Sequence, residues 1–303
     1  MGSLFKQIYR YTHPRSYRHN ENLWPYMKIK RATTGEINSL HYRGKKIPIV
    51  NLSALRNAFS GPIVLAASGP SINEINFDNH PSIPAMGVNG AWFLDNVLNF
   101  SLYTIVDMGF FDKKPEIIAQ IINNPKVTLF TTAHGIARIF DGYGLDNTHC
   151  QLALIEDAAF RIHQASLKPS ELKKTYQNTS GHHFPDYRDD IGFATNICNG
   201  IFDAGTVVYW ALQIIFFLGF EKIFILGLDM NNFNKPRFYE SDNNKLPTDL
   251  EGMVDNIIFP ALLHANNVLE ENNRKAVNLS INSSVPNEIF QKVSYDDAFF
   301  KKD

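Results

Sequence analysis

Short apolar runs punctuate the chain at residues 63–67, 85–88, 103–106, 127–131, 152–155, 223–226 and 276–280, and each predicts a strand. Between them the apolar positions shift to helical spacing. Residues 115–122 predict an amphipathic helix, 205–218 an apolar one, and 254–272 a longer one carrying Ile257, Ile258, Ala261, Leu262, Ala265, Val268 and Leu269 at helical intervals. The strands are continuously apolar and do not alternate, which is the pattern of strands covered on both faces. Strand and helix taking turns then predicts an α/β fold: a mostly parallel, Rossmann-related sheet with helices on both faces.

Two stretches break this alternation. Residues 165–200 are polar, contain Gly and Pro, and include Thr179-Ser180-Gly181-His182-His183 and Asp186-Tyr187-Arg188-Asp189-Asp190, so they predict a lid-like excursion. Residues 231–252 follow a strand end directly, the place where open parallel sheets carry their ligand-contacting loops. The longest apolar run, 207–220, is shorter than the roughly 20 residues needed to cross a bilayer and is stopped by Glu221 and Lys222; it predicts a buried helix. Cys150 and Cys198 are far apart and in no ligand spacing, so both read as packing residues rather than as a disulfide framework or a zinc site.

Charge changes the picture at one end only. The formal net charge is −1, yet the first fifty residues carry ten Lys and Arg against Glu21 and Glu36 alone. These cations are interleaved with Phe5, Ile8, Tyr9, Tyr11, Tyr17, Trp24 and Tyr26. That mixture predicts a basic aromatic arm over residues 1–58, ahead of a catalytic domain over 59–303. Such an arm suits an anionic bilayer surface, where each cation contributes roughly 1 kcal/mol. It equally suits packing along the body of the protein; nucleic acid could use the same chemistry but is not expected as a partner. No apolar signal segment opens the chain, which predicts a cytoplasmic location.

Three motifs carry candidate chemistry. In the first, an apolar strand runs straight into Ser68-Gly69-Pro70-Ser71, where Gly69 admits close backbone approach and Ser71 with Glu74 has capping-box spacing. Exposed amides there would face a phosphate or ribose. In the second, Gly87-Val88-Asn89-Gly90 ends the next strand and offers a side chain that can both donate and accept. In the third, Asp203-Ala204-Gly205-Thr206 opens the apolar helix, and the strand after it ends in Gly227-Leu228-Asp229, placing Asp229 where it could bind a hydroxyl or cap a turn. All three fall at the same edge of the predicted sheet and read together as one nucleotide crevice.

The combination resembles the bacterial sialyltransferases that use CMP-activated sialic acid. The resemblance rests on Ser68-Gly69-Pro70-Ser71, Asn89, Ala204-Gly205, Leu218-Gly219-Phe220-Glu221-Lys222-Ile223 and Gly227-Leu228-Asp229 in that order, and spans residues 62–290. Within that group the chain looks most like the lipopolysaccharide inner-core Kdo transferases of the WaaZ (RfaZ) type. The resemblance implies a GT-A-like fold and an inverting transfer of Kdo from CMP-Kdo to a lipid-linked core oligosaccharide at the inner face of the cytoplasmic membrane. CMP-sialic acid is the alternative donor.

Several positions depart from the family pattern. Ala67 stands where the family has the first glycine of its turn, and Asp203-Ala204 replace Thr-Ser before the helix glycine. Of the family's two phosphate-binding tyrosines, the first is replaced by Asn231, while Arg237 and Tyr239 lie near the second. An Arg could bind a donor phosphate or carboxylate in bidentate fashion. The family's general base is a His before the late helix, and no His occupies 246–260; His264, His182 and His183 are the substitutes, with Asp255 or Asp249 as carboxylate alternatives. There is no Asp-x-Asp motif, so no obligatory cofactor is implied beyond the CMP-sugar itself, although Mg2+ could be accommodated. The rival readings are a pterin or nucleotide pyrophosphokinase, which would need a metal, and a non-catalytic protein of core assembly.

Overall fold

The computed structural model describes residues 3–243, 245, 247–248 and 250–301. In chain order its strands are β1 (Met27–Arg31), β2 (Ile37–Tyr42), β3 (Lys45–Ile47), β4 (Pro62–Ala66), β5 (Ala85–Val88), β6 (Leu102–Ile105), β7 (Thr128–Thr131), β8 (Gln151–Leu154), β9 (His182–His183), β10 (Phe193–Ala194), β11 (Lys222–Leu226), β12 (Lys275–Asn278) and β13 (Gln291–Lys292). The helices are α1 (Ser3–Thr12), α2 (Asp95–Leu98), α3 (Met108–Lys113), α4 (Pro115–Asn123), α5 (Ala133–Tyr143), α6 (Leu172–Tyr176), α7 (Val207–Leu218), α8 (Phe259–Glu271) and α9 (Tyr295–Phe299). The chain divides into two compact units, one of residues 1–56 with 105–202 and one of residues 57–104 with 203–303.

The second unit holds a parallel sheet in the order β13-β12-β11-β4-β5-β6. Val64 at its centre faces Phe224 on one side and Ala85 on the other. Successive residues of a strand point to opposite faces, and Ile63, Val64, Leu65 and Ala66 are all buried, so both faces of β4 are covered. This bears out the expectation of an α/β fold drawn from continuous apolar runs.

Helix α7 is enclosed along its length, from Val208 to Leu218, which explains an apolar run too short to cross a membrane. No described helix is long and apolar enough for that task. Gly219 ends α7 in the left-handed conformation, φ +110°, and an added Cβ there would lie 2.9 Å from Asn57 Cα. The segment before β4 closes the helix, with Asn57 N–H donating to Phe217 O and Phe59 N–H to Leu218 O, both at 3.0 Å. At about 1.5 Å per residue α7 is roughly as long as β11 at about 3.3 Å per residue. Because α7 ends just before β11 begins, its first turn lies level with the carboxyl end of that strand.

The first unit contains the parallel pair β7 and β8, the antiparallel meander β1-β2-β3, and the short antiparallel pair β9 and β10. Residues 3–56 of the predicted arm are therefore a folded part of this unit. Tyr9, Leu23, Met27, Leu40, Tyr42 and Ile47 are all buried, and Val50 N–H donates to Leu152 O of β8 at 2.8 Å. The expected excursion over 165–200 does lack long elements, containing only α6, β9, β10 and two single 3-10 turns. It is tied down by Ser166 N–H donating to Ser16 O at 2.7 Å and by Tyr176 Oη donating to Ala158 O.

Candidate functional site

The carboxyl ends of β4, β5, β11 and β12 share one edge of the second unit's sheet, and the loops leaving them build the site. After β4 the chain forms a 3-10 turn over Pro70–Glu74 with Gly69 at its cap. The capping box expected of Ser71 and Glu74 is not formed. Ser71 lies inside the turn, and its backbone N–H donates to Asp229 Oδ2 at 2.9 Å while its hydroxyl donates to Asp229 Oδ1 and lies 2.8 Å from Ser280 Oγ. Pro70 has fixed φ and no N–H to offer. The amides of this turn are thus partly consumed by a carboxylate from another strand, and the expected helix amino terminus is one short turn.

Asp229 is correspondingly committed. It is buried, both its carboxylate oxygens face Ser71, and its backbone oxygen accepts from Ser284 N–H at 2.8 Å and Ser283 Oγ at 3.0 Å. It clamps together the ends of β4, β11 and β12, the second of the two roles read for it. Gly69 packs into the same clamp, its N–H donating to Gly227 O at 2.9 Å. A Cβ at Gly69 would lie 2.6 Å from both Gly227 O and Asp229 Cγ.

Asn89, directly after β5, has a left-handed backbone with φ +45°. Its carbonyl oxygen accepts from Tyr103 Oη at 2.6 Å, but its side-chain oxygen is enclosed and has no hydrogen-bond partner among the described residues. The next residue, Gly90, lies against the Tyr239 ring, and a Cβ there would fall 2.6 Å from Tyr239 Oη. Tyr239 in turn stacks on Phe93, with ring centroids 5.1 Å apart and planes 7° from parallel. The loop carrying Tyr239 also reaches the first motif, where Phe238 N–H donates to Ser68 O at 3.4 Å. Ser68, Gly69, Pro70, Ser71, Asn89, Tyr239 and Arg237 therefore belong to one assembly. Arg237 is already paired there, donating to Glu240 Oε1 at 2.8 Å, so a ligand phosphate would share this guanidinium with a carboxylate.

The third motif opens α7. Thr206 caps the helix, its hydroxyl accepting from Val208 N–H at 3.4 Å, and Gly205 before it has φ +75°. Asp203 anchors the approach by accepting from Trp210 Nε1 at 2.7 Å and Gly205 N–H at 3.3 Å. Gly205 faces Met253 and Ile258, so the first turn of α7 meets the segment that leads into α8. That segment is a single π-helical turn over Val254–Ile258. Asn231, at the position of a family tyrosine, donates to Asn282 O at 2.7 Å.

Of the five candidate bases, four lie among the described residues. Asp255 is exposed in the π-helical turn ahead of α8, while His264 lies deeper in α8 and is buried. Asp249 lies outside the described residues. His182 and His183 belong to the first unit. His182 is only 7% exposed, its ring nitrogens meet nothing closer than loosely placed backbone carbonyls of Asn196 and Gly200, and Tyr176 and Phe202 pack edge-on against it at 5.1 and 5.0 Å. Burial, with the Arg161 charge and His183 nearby, lowers its pKa to about 4. An imidazole so enclosed and so weakly basic is a poor proton acceptor at neutral pH. His183 Nε2 lies 3.1 Å from Thr195 Oγ1.

Among the described residues no group of three or more His, Cys, Asp or Glu is arranged to hold a metal ion. Cys150 and Cys198 are both buried with free thiols, and burial pushes each up to about 12. Sequence reasoning missed Phe93, Ser280 and Ser283. The last two sit in a run of small polar residues directly after a strand, which was the available signal.

No family model and no curated protein sequence matches this chain. Solved structures similar to it include the sialyltransferase CST-II in complex with a trisaccharide acceptor and CMP, at 15% identity and TM-score 0.39, covering 80% of this chain and 91% of that one. A Tyr-to-Phe variant of CST-II in complex with CMP is similar at 13% identity and TM-score 0.35, covering 77% of this chain and 89% of that one. Likeness at those TM-scores carries no weight about chemistry.

Proposed function

We propose that the chain is a glycosyltransferase that binds a CMP-activated acidic keto-sugar at the carboxyl edge of the second unit's sheet. The donor is CMP-Kdo, with CMP-sialic acid as the alternative, and the acceptor is a lipid-linked inner-core oligosaccharide. The enzyme works as a peripheral protein at the inner face of the bacterial cytoplasmic membrane.

The observation that carries this reading is Asn89. An enclosed amide oxygen without a partner costs about 1–3 kcal/mol, and this one sits where the loops after β4, β5 and β11 come together. A donor such as the cytosine amino group or a ribose hydroxyl would satisfy it. Gly69 and Gly90, packed against Gly227 O and the Tyr239 ring, let the loops after β4, β5 and β11 close on one another around it, and the capped first turn of α7 opens at the same edge. Arg237, shared with Glu240, and Tyr239, stacked on Phe93, are the candidates for the phosphate. The order of Ser68-Gly69-Pro70-Ser71, Asn89, Ala204-Gly205 and Gly227-Leu228-Asp229 along the chain resembles that of the CMP-sialic acid sialyltransferases.

In the transfer, an acceptor oxygen forms a bond to the anomeric carbon as the bond from that carbon to the phosphate oxygen breaks, and CMP departs with the electron pair. The acceptor proton passes to a base, for which exposed Asp255 is the candidate in the second unit. Arg237 and Tyr239 stabilise charge building on the leaving phosphate.

The test is incubation of the protein with CMP-Kdo, or separately CMP-sialic acid, and a lipid-linked core oligosaccharide. Free CMP and an acceptor heavier by one keto-sugar are the expected products. Failure of both donors to transfer, on acceptors that a known core transferase accepts, would overturn the proposal.

A further inference from the structure

Helix α1 turns an apolar stripe toward solvent. Leu4, Ile8 and Tyr11 fall at i, i+4 and i+7, and they are 67%, 38% and 91% exposed. The opposite side holds the helix in place. Tyr9 is buried there, stacked on His13 at 3.9 Å and packed against Trp24 at 5.7 Å. Phe5, partly exposed, packs edge-on against Trp24 and against Tyr26, the residue entering β1, at 6.0 and 5.7 Å.

The meander that begins at Tyr26 has one greasy and one basic face. Met27, Leu40, Tyr42 and Ile47 are buried, while alternation puts Lys28 and Lys30 on the other side. Register places Lys28 opposite His41 and His41 opposite Lys46, a ladder of basic side chains across three strands, with Lys30 opposite Ser39 one step along. Lys28, Lys30 and Lys46 are exposed, and no described residue forms a salt bridge with any of them. Beside α1, Glu21 pairs with Arg10 and also lies in the field of Lys6 and Arg18, so cations outnumber acids there too.

We infer that α1 and the β1-β2-β3 meander form a docking face for an anionic lipid bilayer. Leu4, Ile8 and Tyr11 enter the boundary between headgroups and acyl chains, and the Lys28, Lys30 and Lys46 face meets the headgroup charge. The stripe and the ladder adjoin through Phe5 and Tyr26. Aliphatic Leu4 and Ile8 distinguish this face from one built for nucleic acid, where they would have nothing to stack on or neutralise. The inference sharpens the peripheral attachment proposed above but needs no nucleotide, so its failure would leave the transferase reading intact.

The full chain is sedimented with vesicles of phosphatidylcholine alone and of phosphatidylcholine mixed with phosphatidylglycerol, without nucleotide. Binding is expected to the anionic vesicles, weaker at high salt. It should fall about tenfold or more in a Leu4→Ser/Ile8→Ser variant and likewise in a Lys28→Glu/Lys30→Glu variant. All four sites are exposed, and circular dichroism checks that the variants fold. A Tyr11→Trp variant gives a second readout, its emission shifting to the blue on contact with the anionic vesicles. The inference is overturned by equal binding to neutral vesicles, by variants that sediment like the parent, or by unshifted Trp emission. It is also overturned if duplex DNA binds as tightly and is indifferent to the Leu4/Ile8 change.

Discussion

Replacing Gly69 by Ala tests the clamp at the heart of the site. Gly69 has φ −66° and ψ 155°, a conformation any residue adopts, so the backbone itself raises no objection. The difficulty is space. The new methyl would lie 2.6 Å from Gly227 O, a backbone atom, where ordinary contact begins at 3.4 Å, so the turn or the end of β11 must move by about 0.8 Å. Asp229 Cγ is equally close, and displacing it strains both bonds to Ser71. Overpacking of this kind costs about 1–3 kcal/mol. In a chain of this size each kcal/mol lowers Tm by roughly 2–4 °C. Because the moved residues line the proposed donor site, CMP affinity should fall about tenfold or more as well. The matched control is Gly142→Ala near the end of α5, where no atom lies within 4 Å of the added methyl; it should gain up to about 1 kcal/mol from helix propensity. Thermal melting and calorimetric titration with CMP read both effects. A Gly69→Ala protein that melts and binds like the parent would refute the packing and the placement of the site together.

Three further outcomes follow from the same geometry. Asp229→Ala removes the acceptor for Ser71 N–H and hydroxyl and should destabilise the protein by about 2–4 kcal/mol in urea unfolding; a loss under 1 kcal/mol would deny the clamp. Asn89→Gly keeps the left-handed backbone while deleting the unpartnered amide, so stability should change by less than about 1 kcal/mol while CMP affinity drops roughly 2- to 10-fold; unchanged affinity would remove Asn89 from the site. His182 has a folded pKa of about 4, depressed by burial from an ordinary value near 6.5, so the unfolded chain takes up its proton first as pH falls. Its contribution is whole above pH 6.5 and is lost toward pH 4, about 3 kcal/mol in all. His182→Phe should flatten that slope and keep transferase activity within about twofold; an unaltered slope would place the acid sensitivity elsewhere, and lost activity would return His182 to catalysis.

What was legible in the sequence was whatever depends on near neighbours along the chain. Ile63 to Ala66 and Ile223 to Leu226 are apolar without interruption because both faces of their strands are covered, and that alone predicts parallel strands. Thr206 beside Gly205 likewise announces the start of α7. The meander is hard to see because its alternation, Met27-Lys28-Ile29-Lys30, is short and lies inside a basic segment whose composition masks a period of two. The Ser71 and Glu74 capping box failed for a different reason: Asp229, 158 positions away, takes the amide and the hydroxyl, and no local pattern reveals so distant a partner. The base is the least legible element, since it is defined by distance to a substrate rather than by any spacing. His182 looked eligible as a residue type, and only its enclosure by Tyr176 and Phe202 argues against it.

The central claim is that the edge formed by Ser68–Ser71, Asn89 and the first turn of α7 receives a cytidine monophosphate. Calorimetric titration of the purified protein with CMP, CDP, UDP and ATP, each with and without Mg2+, tests it most directly. Selective binding of CMP that does not depend on the metal is the predicted result; tight binding of ATP that requires Mg2+, with CMP inert, would contradict it and favour a pyrophosphokinase.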